Sequence, residues 1–290
     1  MQSTTEYADL HAHTTASDGA TPPADLVRLA RDVGLTYLAV TDHDTTAGLA
    51  EAASAARRLS IRLIAGVELS AEGAPGKCHL LGLGIDPAHE GLNHALRDLS
   101  ASRRARNLRM AERLRSLGAP ITLDEVVEIA PPGANIGRPH FAQALLARGY
   151  VRDIPQAFSR YLADDAAAYV TKETLAPAQA IELVHAAGGL CFIAHPGLLR
   201  LSEHENLETR FQALKEVGID GIEAYYSAYS PALTARLLRI AEKLALLVTG
   251  GSDFHGANKP DVPLGIVVDG HRLPSASLPP ALLGRALPCP

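Results

Sequence analysis

The sequence is poor in cysteine and has no excess of positive charge. Its three cysteines, Cys78, Cys191 and Cys289, are odd in number and follow no C-x-x-C spacing, which excludes a disulfide framework and a C-x-x-C zinc site. Lysine and arginine total 27 against 32 aspartates and glutamates, for a formal net charge of −5. This balance excludes a protein that coats nucleic acid with its whole surface, so any attraction for phosphate has to be local.

Long apolar runs are also missing. No stretch reaches the roughly 18 consecutive apolar residues that a membrane helix requires. The first ten residues, MQSTTEYADL, lack the basic and apolar segments of a secretion signal. We therefore expect a cytoplasmic protein with no membrane partner. At 290 residues, of which 47% are hydrophobic, the chain suits one large α/β domain or a barrel with an inserted piece.

The sequence does contain short apolar runs that repeatedly adjoin a histidine or a carboxylate. Seven such runs cover residues 7–13, 36–43, 62–68, 78–83, 189–195, 221–225 and 244–255. Six are associated with candidate metal ligands, namely His11, His13, Asp18, His43, Glu68, His79, His195, Asp253 and His255. The run 221–225 carries Glu223, whose role the sequence leaves open. This recurrence predicts a metal cluster at one end of a barrel.

Helix-like segments alternate with these runs, which favours a parallel sheet. No G-x-G-x-x-G follows the first run, and the ligands come from nearly every predicted strand rather than from one switch point. A closed or nearly closed barrel is therefore favoured over an open Rossmann-like sheet. The predicted fold class is α/β, with the barrel formed by residues 1–97 and 169–290. We expect the proline-rich tail after Asp269 to be a surface extension.

Between about residues 92 and 169 this alternation stops. The pattern there predicts four helices, over residues 100–117, 123–129, 138–148 and 154–162, and no strand that ends in a ligand. The first begins after Ser100, and Thr122 caps the second. We predict that residues 98–168 form a small helical domain, inserted between two barrel strands, that recognises the substrate.

The ligand types restrict the metal. Imidazole and carboxylate without thiolate suit Zn, Mn, Fe or Mg. His11 and His13 stand two residues apart at a strand end, so both side chains point the same way and can bind one ion. Nine candidates exceed the four to six ligands that one ion takes, but they suffice for two or three ions if Glu68 bridges.

These motifs resemble those of the PHP (polymerase and histidinol phosphatase) superfamily. The segments that carry the resemblance are LHAHTTASDG at 10–19, TDHDT at 41–45, AGVELS at 65–70, IAHPG at 193–197 and GSDFH at 251–255. The resemblance implies a distorted seven-stranded (β/α) barrel with two or three divalent ions, manganese foremost among them. It assigns His11, His13, Glu68 and Asp253 to a first ion, Glu68, His79 and His195 to a second, and Asp18, His43 and His255 to a third.

A helical insert before AYVTKETL is similar to that of the 3′,5′-nucleotide bisphosphate phosphatases, a branch whose members also act as 5′-3′ exoribonucleases on short RNAs with a 5′ monophosphate. Both activities need a second phosphate site. Seven arginines lie between Arg97 and Arg115, a local concentration of the kind that binds phosphate. We expect Arg103 and Arg104, placed in a helix's first turn, and Arg138 to hold the 5′ phosphate. Further expected substrate contacts are Ser102, Asn107 and Lys172.

The expected reaction is removal of the 3′ phosphate from a nucleoside 3′,5′-bisphosphate, such as adenosine 3′,5′-bisphosphate. A metal-bound hydroxide is the expected nucleophile, and His255 or His195 would protonate the leaving oxygen. The expected partner is a small nucleotide, with no obligate protein partner.

Three alternatives stay open. The first is a 5′-3′ exoribonuclease on short 5′-phosphorylated RNA. The second is a histidinol phosphate phosphatase, which would need a carboxylate partner for its cationic substrate. The third is a metal-dependent module that binds RNA 5′ ends without catalysis.

Overall fold

Eight strands form one curved sheet in the computed structural model, which describes residues 5–287. The strands are β1 Tyr7–Asp9, β2 Tyr37–Val40, β3 Arg62–Ala71, β4 Cys78–Leu83, β5 Leu190–Ile193, β6 Gly221–Tyr226, β7 Leu247–Gly251 and β8 Leu273–Pro274. Their order is β7-β6-β5-β4-β3-β2-β1-β8. Beyond β1 and β7 the chain closes the barrel, because Ala12 and Phe254 form a parallel bridge and the Asp253 N–H donates to the His11 carbonyl oxygen at 2.9 Å. The α/β barrel prediction is confirmed, and all seven predicted strands are present.

One of the seven predicted strands runs against its neighbours. β4 pairs antiparallel with both β3 and β5, so the prediction of a wholly parallel sheet is wrong. Residues 72–77 are too few to form the helical crossover that parallel neighbours need. The reversal has a consequence for the site, because it places His79, at the start of β4, opposite Ser70, at the same end of the barrel as the ends of the parallel strands.

Ten helices are present among residues 5–287. They are α1 Pro23–Asp32, α2 Leu49–Leu59, α3 Glu90–Ser116, α4 Leu123–Ile129, α5 Arg138–Ala147, α6 Ile154–Ala157, α7 Pro177–Ala186, α8 Leu207–Glu216, α9 Pro231–Lys243 and α10 Pro280–Leu283. A π-helical turn, Phe158–Leu162, continues α6. Thr122 caps α4 as expected, since its hydroxyl accepts from the Glu125 N–H while the Glu125 carboxylate accepts from the Thr122 N–H.

Helix α3 begins ten residues before the predicted start. His89 is its N-cap, and its ring accepts a hydrogen bond from the Leu92 N–H at 3.1 Å. Residues 90–99 contain no proline, and their apolar residues pack on the barrel, so nothing ends the helix at Ser100. Arg103 and Arg104 are therefore mid-helix residues. The prediction that they lie in a first turn with free N–H groups is wrong, and the helix dipole does not contribute to anion binding there.

Separate apolar clusters support the division of the chain. One fills the barrel interior around Ile64, Leu81 and Phe192, and a larger one lies between the strands and the outer helices. A third, around Met110 and Phe141, belongs to the segment between β4 and α7. We propose residues 98–168 as the inserted domain on the basis of this third cluster.

The tail after Asp269 is part of the core, so the prediction of a surface extension is wrong for the residues up to 287. β8 pairs antiparallel with β1, and Leu273, Leu278 and Leu282 are buried within the barrel-interior cluster. The apolar residues that anchor this tail stand among its prolines, in the segment LPPALL at 278–283. Cys289 and the prolines at 288 and 290 lie outside the described residues.

We expect Leu282→Ala to lower the free energy of unfolding by about 2–5 kcal/mol, because it empties a fully buried site. Leu283→Ala is the matched control, since Leu283 is only partly buried and should cost less. Urea unfolding of the two variants measures the difference. Equal, small losses would contradict a structural role for the tail.

Candidate metal centre

The barrel end where most strands terminate brings all nine predicted ligands together. His11 and His13 follow β1, His43 follows β2, and Glu68 lies within β3, where it forms a bridge with His43. The remaining ligands follow β1, β5 and β7 or begin β4, and are Asp18, His79, His195, Asp253 and His255. His11, His13 and Glu68 are completely buried, so these polar groups need partners.

Glu68 lies at the centre of the cluster. Its Oε1 is 2.9 Å from His79 Nδ1 and 2.9 Å from His195 Nε2. Its Oε2 is 2.9 Å from His43 Nδ1, 3.2 Å from His13 Nε2 and 3.4 Å from His11 Nε2. Because each oxygen faces its own set of imidazoles, this carboxylate is placed to bridge two ions.

Three groups have ligand atoms close enough to hold one ion each. They are His11, His13 and Asp253; His43, Glu68 and His79; and His13, Asp18, His43 and His255, with ligand atoms within 4.8 Å of one another in each group. These groups resemble the predicted division, with His13 and His43 shared between groups.

Some buried polar atoms at the centre of the cluster have no hydrogen-bond partner, and this observation tests whether the residues fit a metal ion. His13 Nδ1, His43 Nδ1 and Glu68 Oε2 are buried and make no hydrogen bond, although the last two lie 2.9 Å apart. The His11 and His13 Nε2 atoms face each other at 3.2 Å. Unpaired buried nitrogens and oxygens that converge in this way fit divalent cations bound by imidazole and carboxylate.

The electrostatics keep the carboxylates ionised. Burial raises the pKa of Glu68, but His43, His79 and His11 outweigh it and hold the pKa well below its usual range. Burial likewise raises the pKa of Asp253, and His11 and His13 lower it further than burial raises it. Both groups therefore present the charged form that a metal requires.

Glu223, whose role the sequence leaves open, contacts two of the ligand histidines. Its Oε1 lies 2.9 Å from His11 Nδ1, and its Oε2 accepts from the His195 N–H at 2.6 Å. Donation from Nδ1 directs the lone pair of His11 Nε2 toward the cluster, the arrangement that carboxylates commonly impose on metal-binding histidines. Sequence reasoning could have found this role from the position of Glu223 in a strand next to β5.

We expect Glu223→Gln to weaken metal binding about 10- to 100-fold, because the carboxamide does not stabilise the His11 ring as a carboxylate does. Isothermal titration calorimetry of the metal-free protein with Mn²⁺ measures the metal affinity without relying on activity. Glu242→Gln, on the outer helix α9, is the matched control. Unchanged affinity in Glu223→Gln would contradict the assignment.

Two further aspartates were not singled out from the sequence. Asp42 accepts from the Thr14 N–H and the Ser17 hydroxyl at 2.8 and 2.5 Å, which shapes the loop that carries Asp18. Asp9 accepts from the Ser252 N–H at 2.9 Å and so ties β1 to β7. The sequence feature that could have identified both is their position, one or two residues before a ligand histidine.

A cavity of about 450 Å³ opens onto the cluster. Its lining includes the ligands Asp18, His43, His79 and His255. Elsewhere it is lined by the cations Lys77, Arg103, Arg106, Arg138, Lys172 and Lys259, and by the apolar side chains of Ile154, Phe158, Tyr169 and Val170. A single space therefore combines metal ligands, positive charge and apolar surface.

Two carboxylates orient four of these cations. Asp44, directly after His43, forms ion pairs with Arg103 and with Lys172, the latter at 2.6 Å. Asp164 pairs with Arg138 at 2.6 Å and with Lys77 at 2.8 Å. Each of these carboxylates therefore joins two cations from different segments of the chain. A fifth cation, Lys259, pairs with Asp253 at 2.7 Å.

Arg106 was missed as a site residue. It is buried, and its Nε donates to Asn107 Oδ1 at 2.9 Å, but within residues 5–287 it makes no ion pair. Burial, with Arg103 and Arg138 nearby, lowers its pKa to about 9, which leaves it charged at neutral pH. The sequence did contain a signal for this role, because Arg106 stands three residues after Arg103 and so lies on the same face of the helix.

Three predicted substrate contacts do not line this cavity. Ser102 accepts from the Glu173 N–H at 2.8 Å. Arg104 and Asn107 line a neighbouring cavity instead. The structure thus separates Arg104 from Arg138, with which it was expected to form one clamp.

Fold and site together define a barrel hydrolase with clusters that can bind metals. Residues 9–217 match the family model described as the PHP domain, and the chain belongs to that family. It is 36% identical over 253 residues to a 5′-3′ exoribonuclease of Haemophilus influenzae, which covers 87% of this chain and 90% of that protein. It is 35% identical over 249 residues to a 3′,5′-nucleoside bisphosphate phosphatase of Chromobacterium violaceum, with 85% and 86% covered.

A third relative, the phosphoribosyl 1,2-cyclic phosphate 1,2-diphosphodiesterase of Eggerthella lenta, is 31% identical over 251 residues, with 86% and 94% covered. Among solved structures, an amidohydrolase from C. violaceum with bound sulfate and no metal has a TM-score of 0.87 at 32% identity, with 97% of both chains covered. A metal-dependent phosphoesterase from Bifidobacterium adolescentis has a TM-score of 0.86 at 34% identity, with 98% of this chain and 97% of the other covered. The chain is a PHP-family phosphoesterase, and these relatives differ in their substrates.

Within residues 5–287 no helix is both long and apolar enough to cross a membrane.

Proposed function

We propose that the protein removes the 3′ phosphate from nucleoside 3′,5′-bisphosphates, such as adenosine 3′,5′-bisphosphate. The observation that carries the proposal is that one cavity is lined both by metal ligands and by six cationic side chains. A substrate with two phosphates can place one at each. The volume of about 450 Å³ lies within the range of small-molecule sites.

The cationic side chains of the cavity are suited to a phosphate rather than to a neutral group. Arg103, Arg138 and Lys172 are oriented by carboxylates, and the buried Arg106 has no ion pair of its own among the described residues. A buried cation without a counter-charge is costly, and a bound phosphate removes that cost. The related C. violaceum structure, which binds sulfate, supports anion binding by this fold.

Bound divalent ions would activate water and stabilise charge on the phosphoryl oxygens. The nine ligands would hold them, and Glu68 would bridge. Of the two proposed proton donors, His255 has Nδ1 committed to the Asp253 carbonyl oxygen at 2.8 Å. His195 is committed in the same way, because its Nε2 lies 2.9 Å from Glu68 Oε1, and both histidines are proposed metal ligands. We therefore propose that water in the site protonates the leaving 3′ oxygen. The apolar side chains around Phe158 and Tyr169 would hold the base.

The test is phosphate release from adenosine 3′,5′-bisphosphate, adenosine 3′-monophosphate and histidinol phosphate by protein loaded with Mn²⁺. We expect the bisphosphate to have the highest kcat/KM, by at least about tenfold, because only its second phosphate can bind the cationic side chains of the cavity. Equal rates on the two adenosine substrates would contradict the proposal. A preference for histidinol phosphate would favour that alternative instead.

Replacement of Arg106 by Gln should weaken binding of the bisphosphate without lowering the stability of the protein. We expect kcat/KM for the bisphosphate to fall roughly 10- to 100-fold through loss of a charge-assisted hydrogen bond, while the rate on adenosine 3′-monophosphate changes little. The midpoint of urea unfolding should not fall, because an unpaired buried charge is removed. Arg115→Gln, on an exposed part of the same helix, is the control. An equal fall on both substrates would place Arg106 outside the second phosphate site.

A second candidate function, hydrolysis of short 5′-phosphorylated RNA, is favoured by one observation, the neighbouring cavity that contains Arg104.

A further inference from the structure

Residues 135–140 of the insert lead from the loop after α4 into the first turn of α5. Two of them, Asn135 and His140, form hydrogen bonds with the barrel loops that follow β1 and β2. These loops carry Asp18 and His43, two of the nine candidate metal ligands. The insert therefore contacts the metal centre through residues that are not among the nine ligands.

Asn135 binds both loops at once. Its backbone N–H donates to the Ala16 carbonyl oxygen at 2.9 Å, and its side-chain amide donates to the His43 carbonyl oxygen, also at 2.9 Å. Ala16 stands two residues before Asp18, whose Oδ2 lies 3.7 Å from His43 Nε2. One asparagine thus ties together two loops whose side chains converge.

His140 contacts the first of these loops one residue closer to Asp18. The ring is buried, and burial lowers its pKa, so it is neutral at neutral pH. Its Nδ1 accepts from the Gly137 N–H at 3.0 Å, so the proton of the neutral ring is on Nε2. The ring also forms a hydrogen bond with the backbone of Ser17, the residue directly before Asp18. His140 therefore joins the start of α5 to the loop that carries this ligand.

The loop after β7 is connected to the insert in a similar way. Asn258, three residues after His255, donates from its side-chain amide to the Asp18 carbonyl oxygen at 2.8 Å. Its Oδ1 accepts from Gln143 of α5 at 2.8 Å. His255 Nε2 lies 3.4 Å from Asp18 Oδ1. Short chains of hydrogen bonds therefore link the insert to the loops of three ligands that lie close together.

Other ligands of the centre are supported from within the barrel. Glu223 of β6 contacts His11 at 2.9 Å. Asp253 accepts from Tyr226 of β6 at 2.9 Å and from Lys259, which follows β7, at 2.7 Å. Loss of the insert contacts should therefore affect one ion and spare the ion bound by these ligands.

We propose that Asn135 and His140 are positioning residues for the ion bound by Asp18, His43 and His255, so that the insert completes the metal centre as well as lining the substrate cavity. The ligand atoms of this group, which also includes His13, lie within 4.8 Å of one another. Hydrogen bonds from outer partners to the ligands commonly decide the affinity of such a site. This inference rests on the metal centre and holds whichever phosphate ester is the substrate.

The experiment is isothermal titration calorimetry of the metal-free full chain with Mn²⁺. We expect Asn135→Ala to weaken the binding of one ion about 10- to 100-fold and to leave the other affinities within about twofold of the wild type. His140→Phe, which keeps a ring and removes both ring nitrogens, should have the same effect. Asn93→Ala is the matched control, because the Asn93 amide also donates to a backbone carbonyl, that of Pro87, at 2.9 Å, but away from the ligand loops. It should change no affinity.

Asp18→Asn identifies the ion concerned. It should weaken the same binding event, and Asn135→Ala added to it should leave the affinities of the remaining ions within about twofold of those in Asp18→Asn, because both residues serve one site. Circular dichroism and the unfolding midpoint verify that each variant is folded.

Unchanged affinities in both Asn135→Ala and His140→Phe would overturn the inference. Equal weakening of every ion would overturn it too, because that is the effect of a general disturbance of the structure. Phosphate release plays no part in these measurements. A protein that binds metal as expected but does not hydrolyse the bisphosphate therefore overturns the proposed function and leaves this inference standing.

Discussion

Glu68→Gln should abolish most of the activity and lower the bound metal to at most one ion per chain. Five imidazoles lie within 3.4 Å of this carboxylate, and it is the group placed to serve two ions. Glutamine keeps the shape but offers one neutral oxygen. Metal ions supply several kcal/mol of transition-state stabilisation, so we expect kcat to fall at least about a thousandfold.

The protein is loaded with metal and passed through gel filtration. Mass spectrometry then measures the metal content, and phosphate release measures the activity. Glu242→Gln, on the outer helix α9 away from the cavity, is the control. Full metal content with activity within tenfold of the wild type would show that Glu68 does not bridge. Loss of activity with full metal content would instead point to a direct role in the chemistry.

The metal cluster was predictable from the sequence because its residues form local patterns. Short apolar runs that end in histidine or carboxylate are readable without tertiary information, and parallel topology brings such ends together. His79 is instructive, since it begins its strand rather than ending it. Only the short connection 72–77 signalled that β4 reverses and still delivers this histidine to the same end.

The cationic site was less predictable, because its parts depend on side-chain pairing across the chain. The arginine-rich stretch was visible, but its division between two cavities follows from the helical phase of α3, which turns Arg103 and Arg106 toward the metals and Arg104 away. The early start of α3 also shifted the expected first turn. Asp44 and Asp164 could not be matched to their cations from sequence, since 59 and 26 residues separate them from Arg103 and Arg138.

Asp44→Asn should be the most destabilising of the charge-removing substitutions proposed around the cavity. The Asp44 side chain is fully buried, and it accepts from Arg103, from Lys172 at 2.6 Å and from the Ser70 N–H at 2.8 Å. Its backbone is left-handed, with φ of 50°, a conformation that asparagine tolerates. The substitution therefore keeps the backbone and removes only the charge that two nearly buried cations share. We expect a loss of about 3–5 kcal/mol in the free energy of unfolding.

Asp164→Asn is the matched control, because it also leaves two cations without a carboxylate. The Asp164 side chain is 22% exposed, and its partners Lys77 and Arg138 are 42% and 28% exposed, so water can replace the carboxylate and the loss should be about 1 kcal/mol or less. Urea unfolding measures both. Inorganic phosphate gives a further test, since an anion in the cavity can neutralise Arg103 and Lys172 in place of Asp44. Added phosphate should therefore raise the unfolding midpoint of Asp44→Asn more than that of the wild type. Equal losses in the two variants, with equal responses to phosphate, would show that Asp44 does not hold these cations for an anion.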